Sequence, residues 1–83
     1  TIWSQFWKME SEQEYIKFLG VRIRQLREEK NISQQVLADI CNVPKSTIGR
    51  LERGEVNPTV KTLLKISIAL NIEFINLFLF KHQ

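Results

Sequence analysis

The sequence predicts an all-α fold in one small domain, and three observations support that prediction. The apolar residues recur at spacings of three and four, which is the period of a helix face. There is no alternating run of β-branched residues between turn residues, so no strand is predicted. Residues that favour helix starts and stops, among them Ser33, Pro44 and Gly54, divide the chain into helix-sized segments.

The first two predicted helices cover residues 12–30 and 34–41. The apolar stripe of the first helix consists of Tyr15, Leu19, Ile23 and Leu26, with Phe18 at its edge. Asn31 ends this helix, and Ser33 can cap the next one through its hydroxyl oxygen. The inner face of the second helix is predicted to contain Val36, Leu37, Ile40 and Cys41. Asn42 tolerates the left-handed conformation that a helix stop needs.

The third predicted helix begins at Pro44 and ends at Arg53, because Gly54 is a helix stop. It has only two bulky apolar residues for a core, Ile48 and Leu51. Stability alone does not explain its polar residues, which are Lys45, Ser46, Thr47 and Arg50.

A fourth helix is predicted over residues 59–70, after the pair Asn57 and Pro58. The residues predicted to point inward are Val60, Leu63, Leu64 and Ser67. A fifth segment, residues 74–80, reads FINLFLF and is apolar all round. One small domain can hardly cover such a segment.

Six large apolar residues of this fifth segment predict a homodimer interface, in which the same patch on each subunit pairs with itself. They are Phe74, Ile75, Leu77, Phe78, Leu79 and Phe80. The alternative is that they pack inward or beneath residues 1–8, where Trp3, Phe6 and Trp7 share one face.

Two regions make up the predicted domain organisation. Residues 1–11 are an N-terminal arm, and residues 12–83 are the domain with its C-terminal dimerisation segment. Met9 could be a native start, so residues 1–8 are either native or foreign to the natural chain.

The charge is unevenly distributed along the chain. The net charge is +3, and residues 44–65 account for all of it with five basic and two acidic residues. Such a contiguous excess favours a polyanionic partner, with a solvated charged face as the alternative.

Several functional classes are not predicted. Cys41 is the only cysteine, which indicates a reducing cytoplasm and no internal disulfide. His82 has no ligand partners at metal-binding spacing, so neither a metal nor another cofactor is expected. No phosphate loop, nucleophile elbow or acid pair indicates an enzyme, and no apolar run of membrane-spanning length is present.

The stretch QQVLADICNVPKSTIGRLER, residues 34–53, resembles the helix-turn-helix of the phage Cro and repressor family, also called the xenobiotic response element family. The resemblance rests on the leading glutamine, the small Ala38, the turn at Asn42, and the apolar Ile48 and Leu51. The family usually has glycine at this turn, and asparagine is a mild departure. The resemblance implies a compact five-helix, lambda-repressor-like DNA-binding domain, here with a possible extra N-terminal helical arm.

The resemblance also implies roles for individual residues. Base contacts are expected from Lys45, Ser46, Thr47 and Arg50. Phosphate contacts are expected from Ser33, Gln34, Arg53, Asn57 and Lys61. Arg27 and Glu52 occupy the places of a partly buried ion pair that fixes the third helix against the first.

The function implied is that of a sequence-specific regulator of transcription that binds double-stranded DNA. It is expected to be a dimeric repressor or autoregulator that reads a palindromic operator through the major groove. The alternative is a protein-interaction module, similar to an antitoxin or a polymerase-binding protein. Such a module would bind a toxin or RNA polymerase through the apolar C-terminal segment.

Overall fold

The computed structural model describes residues 11–79, which form four α-helices and one 3-10 helix. The helices are α1 (Glu12–Glu29), α2 (Gln34–Cys41), α3 (Lys45–Glu52) and α4 (Val60–Ala69). The 3-10 helix covers Phe74–Phe78. The all-α prediction is confirmed, and the described residues contain no strand. The fifth predicted helix is a 3-10 helix of five residues. The predictions for the arm at residues 1–10 and for Phe80 lie outside the described residues.

Local sequence signals set the helix boundaries. Side-chain oxygens of Ser11, Ser33 and Thr59 each accept a hydrogen bond from a backbone N–H in the first turn of the following helix. Residues with positive φ follow each of the four α-helices, and they are Asn31, Asn42, Gly54 and Asn71. These caps satisfy backbone groups that the helix ends would otherwise leave without partners.

The core lies where α1, α2, α3 and α4 meet, and the 3-10 helix closes one end of it. Its buried apolar residues are Leu19, Ile23, Leu26, Leu37, Ala38, Cys41, Ile48, Leu51, Leu63, Ile66, Leu70 and Leu77. Leu77 is fully buried, so the 3-10 helix is part of the fold.

Four residues predicted to point inward are exposed in the structure, and they are Val36, Ile40, Val60 and Leu64. The prediction of an inner position was wrong for them. In α4 the buried stripe runs through Leu63, Ile66 and Leu70, so Val60 lies beside it and is 64% exposed. The short α2 buries only a narrow stripe, and Ile40 lies outside it.

The long helix α1 contacts both α3 and the 3-10 helix. Gly20 lies against the backbone of α3, because a Cβ there would overlap the carbonyl oxygen of Leu51. The Gln13 side chain donates a hydrogen bond to the Gly54 carbonyl at 2.7 Å. Arg22 donates to the Asn76 carbonyl at 3.0 Å. One helix therefore contacts both the end of α3 and the apolar end of the domain.

Candidate nucleic-acid interface

Helix α3 is fixed to the core by its apolar side. Ile48 and Leu51 are buried, and they fall on one face because they are three residues apart. The turn before α3 follows Asn42, whose φ of 57° allows the chain to leave α2 sharply. Val43 then donates its backbone N–H to the Ala38 carbonyl at 3.0 Å. Helices α2 and α3 with this turn form a helix-turn-helix unit.

The opposite side of α3 carries polar side chains that face solvent. Lys45, Ser46 and Arg50 are exposed, and Thr47 is half-buried. Ser46 and Arg50 are four residues apart and therefore lie on the same face. The structure thus places the four residues expected to contact bases on a short helix whose other side is anchored.

The residues expected to contact phosphate have different surroundings. Asn57 and Lys61 are exposed near the start of α4. Ser33 accepts the Val36 N–H at 3.1 Å through its hydroxyl oxygen, which leaves its O–H able to donate. Gln34 donates its side-chain amide to Glu52 at 3.0 Å, so its position is fixed relative to α3.

Arg53 is bound to a neighbour that the sequence reasoning did not identify. Its Nε lies 2.8 Å from Oε2 of Glu55, and its Nη2 donates to Oε1 at 3.3 Å. This hydrogen bonding raises the pKa of the Arg53 guanidinium and lowers the pKa of the Glu55 carboxyl. Both side chains are exposed, at 59% and 50%. The pair lies just beyond the C-terminal end of α3.

Arg27 and Glu52 form a buried ion pair between α1 and α3. The guanidinium binds both carboxylate oxygens, at 2.6 Å through Nε and at 3.0 Å through Nη2. Its remaining Nη1 donates to the Ile32 carbonyl at 2.8 Å. The hydrogen bond to Glu52 raises the pKa of Arg27. With the bond from Gln34, the Glu52 carboxylate joins α1, α2 and α3.

The apolar segment expected to form the dimer interface is divided in the structure. Leu77 is 0% exposed, so its predicted place in an interface was wrong, because the core of the same chain already covers it. Ile75 and Leu79 are 61% and 38% exposed. Phe74 and Phe78 are half-buried, with their rings edge-to-face at a centroid distance of 5.3 Å.

The part of the chain that the structure describes holds no group of three or more residues placed to bind a metal ion. None of its helices has the length and apolar character needed to cross a membrane.

Comparison with known proteins agrees with this architecture. The helix-turn-helix family HTH_3 matches residues 23–76. The chain is 41% identical over 58 residues to the HTH-type transcriptional regulator SutR of Escherichia coli, covering 70% of this chain and 33% of SutR. It is 38% identical over 55 residues to the control protein C.SmaI of Serratia marcescens, covering 66% of each chain.

Solved structures give the same result. The restriction-modification controller protein C.AhdI from Aeromonas hydrophila superposes with a TM-score of 0.72 at 39% identity. That match covers 77% of this chain and 96% of the controller. An HTH_3 family regulator from Vibrio cholerae superposes with a TM-score of 0.77 at 29% identity, over 82% of this chain and 38% of the regulator. The chain belongs to the Cro/C1-type helix-turn-helix family of DNA-binding transcriptional regulators, whose members are not enzymes.

Proposed function

We propose that this chain is a sequence-specific transcriptional regulator that binds double-stranded DNA as a homodimer. The observation that carries the proposal is the two-sided character of α3. Its apolar side is buried, and its polar side is exposed along a helix of eight residues. A helix of this kind can enter the major groove while its far side remains packed on the core.

The exposed residues of α3 have the chemistry needed to read base edges. Lys45 and Arg50 can donate to O6 and N7 of guanine. Ser46 can bond several base edges, and the Thr47 methyl can contact a thymine methyl. We propose that the half-buried Thr47 shares its contact between a base and the phosphate backbone.

The surrounding polar residues are proposed to bind the DNA backbone. Ser33 lies at the N-terminus of α2, where backbone N–H groups also favour an anion. Gln34, Arg53, Asn57 and Lys61 complete this proposed set. These contacts position the protein on the duplex without carrying sequence information themselves.

The proposed dimer interface is the exposed part of the apolar end. It is centred on Ile75 and Leu79, with Phe74 and Phe78 at its border. A two-fold dimer would place two copies of α3 in successive major grooves, about 34 Å apart, and would read a palindrome. Sedimentation at micromolar concentrations should give the mass of a dimer, and a monomer would contradict this part of the proposal.

Repression or autoregulation is proposed as the outcome of binding. The chain is 34% identical over 55 residues to the immunity repressor protein of Bacillus phage phi105, covering 66% of this chain and 38% of that repressor. It is also similar to the restriction-modification controller protein C.AhdI. The name of the phage protein supports repression, and we propose that this chain acts in the cytoplasm and can control its own promoter.

A protein-interaction module is the second candidate function, and the exposure of Ile75 and Leu79 favours it. In that case the apolar end would bind a toxin or RNA polymerase in place of a second copy. Selection of bound sequences from a random duplex pool separates the two candidates. Enrichment of a palindrome, with affinity that falls steeply as salt rises, is expected for the regulator. Failure to enrich any sequence would refute it in favour of the module.

The proposed division of roles can be tested with single variants. Lys45→Ala and Arg50→Ala should each weaken preference at particular base pairs, by about 1–3 kcal/mol. Arg53→Ala should weaken binding to all sequences about equally and reduce the salt slope by up to about 1. Arg24→Ala is the matched control, because this arginine is exposed on α1 and paired with Glu28. Identical behaviour of the three test variants would contradict the division.

A further inference from the structure

Glu55 is an acidic residue within the basic part of the chain. Its backbone N–H donates to the Arg50 carbonyl at 2.9 Å, so the residue is fixed next to the last turn of α3. Its carboxylate binds Arg53 through two N–H groups. The positive charge of Arg50 also helps to lower the pKa of Glu55. A carboxylate that is ionised at neutral pH therefore lies close to two cations proposed to contact DNA.

Gly49 provides the space in which the Arg53 side chain lies. Nη1 of Arg53 is 3.1 Å from the position that a Cβ on residue 49 would occupy. Oε1 of Gln34 is 3.6 Å from the same position. The guanidinium thus lies over Gly49 while it is bonded to the Glu55 carboxylate, and the Gln34 amide oxygen is close to the same position on Gly49.

We propose that Glu55 is a positioning residue that holds Arg53 over Gly49 and competes with DNA phosphate for its guanidinium. The carboxylate occupies two of the donors that would otherwise be available for a bidentate phosphate contact. Binding to DNA then requires the guanidinium to be shared or released. Glu55 therefore limits both the strength and the salt dependence of DNA binding. This inference rests on the proposed function of the chain.

The exposure of the pair is what makes such competition feasible. Exposed ion pairs contribute little net stability, so a phosphate can replace the carboxylate without unfolding the domain. Non-specific affinity for DNA depends almost wholly on cations that release counterions from phosphates. A carboxylate beside one of these cations weakens non-specific binding. Base contacts by α3 then contribute a larger share of the total binding free energy.

The test is the salt dependence of binding for Glu55→Gln, a variant of the same shape without the charge. Its slope of log K against log salt should be steeper than that of the wild type by up to about 0.9, the value for one full phosphate contact, because Arg53 makes only part of that contact in the wild type. Its affinity at low salt should be several-fold higher for specific and non-specific duplexes alike. Glu73→Gln is the matched control, because Glu73 precedes the 3-10 helix, which packs on α1 and α4. Its slope should equal that of the wild type.

The double variant Arg53→Ala with Glu55→Gln shows whether Glu55 acts through Arg53. Without Arg53, removal of the carboxylate frees no guanidinium for a phosphate, so the slope of the double variant should equal that of Arg53→Ala. An unchanged slope in Glu55→Gln would overturn the inference. An equal increase on the Arg53→Ala background would also overturn it. If the wild type bound no duplex, both the proposed function and this inference would fail, whereas wild-type binding with an unchanged Glu55→Gln slope overturns the inference alone.

Discussion

Substitution of Glu52 by alanine should destabilise the domain strongly, because it leaves the Arg27 guanidinium buried without its anion. Only the Ile32 carbonyl would still accept a hydrogen bond from Arg27, and the Gln34 amide would lose its acceptor. Removal of one partner from a buried ion pair costs about 3–5 kcal/mol. A domain of 83 residues has about 4–12 kcal/mol of total stability, so the loss is a large share of it.

Urea denaturation followed by circular dichroism measures this loss as a lower midpoint at an unchanged slope. Two further variants show whether the loss of stability comes from the unpaired buried charge. Glu52→Gln keeps the shape and one acceptor for Arg27, so its loss should be smaller. Arg27→Met combined with Glu52→Leu leaves no buried charge, so it should be more stable than Glu52→Ala alone.

The reasoning is refuted if Glu52→Ala unfolds at the wild-type midpoint, because the pair would then contribute nothing. It is also refuted if the stability lost by the double variant equals the sum of the losses in the single variants Arg27→Met and Glu52→Leu. That result would mean that Arg27 and Glu52 act independently, although their atoms are 2.6 Å apart.

Three further predictions concern packing and the thiol. Gly20→Ala should destabilise the domain by about 1–3 kcal/mol, because the added methyl would meet the backbone of α3. Gly49→Ala should stabilise it by up to about 1 kcal/mol, because only the flexible end of a side chain must move. Equal effects of the two variants in thermal melts would contradict this contrast. Leu77→Ala should cost about 2–5 kcal/mol, and Ile75→Ala should stay within about 0.5 kcal/mol for the isolated subunit; a harmless Leu77→Ala would show that the 3-10 helix is not part of the core. Burial raises the pKa of Cys41, so its reaction with a thiol reagent should be slower in the folded protein than in urea. The stability contributed by the buried neutral thiol is fully present below about pH 8.5, the pKa of a thiol in the unfolded chain, and is lost as pH rises through the pKa of Cys41 in the folded protein. Fast labelling of the folded protein would contradict the burial of Cys41.

Helix boundaries could be predicted because the signals that set them are local. The range 34–41 and the cap at Ser33 agree with α2 as it is found. The stops at Asn42 and Gly54 also agree, since each needs only a residue that tolerates positive φ. A capping hydroxyl acts within one turn of its own helix, so the sequence carries the whole signal.

The inner faces of the short helices could not be predicted as well. In a helix of two turns, apolar residues such as Val36 and Ile40 form a stripe that lies one residue away from the stripe that is buried in the structure. The sequence alone does not distinguish the two stripes. Only contact with the other helices decides which stripe is buried. Leu77 and Gly20 depend on the same kind of information, because their neighbours are distant in the sequence. The pairing of Arg53 with Glu55 is local, and a basic and an acidic residue two positions apart around Gly54 were the signal that could have indicated it.

The contacts of α1 have a consequence for the spacing of operator half-sites. Gln13 bonds to Gly54 just after α3, and Arg22 bonds to the 3-10 helix, so α3 and the apolar end are held by one continuous helix. In a dimer formed through that end, the two copies of α3 would keep a fixed separation and angle. Inserting one base pair between the half-sites rotates them by about 34°, since a helical turn has about 10.5 base pairs. A rigid dimer cannot follow that rotation, so such an operator should tolerate base changes in its spacer better than a change in spacer length.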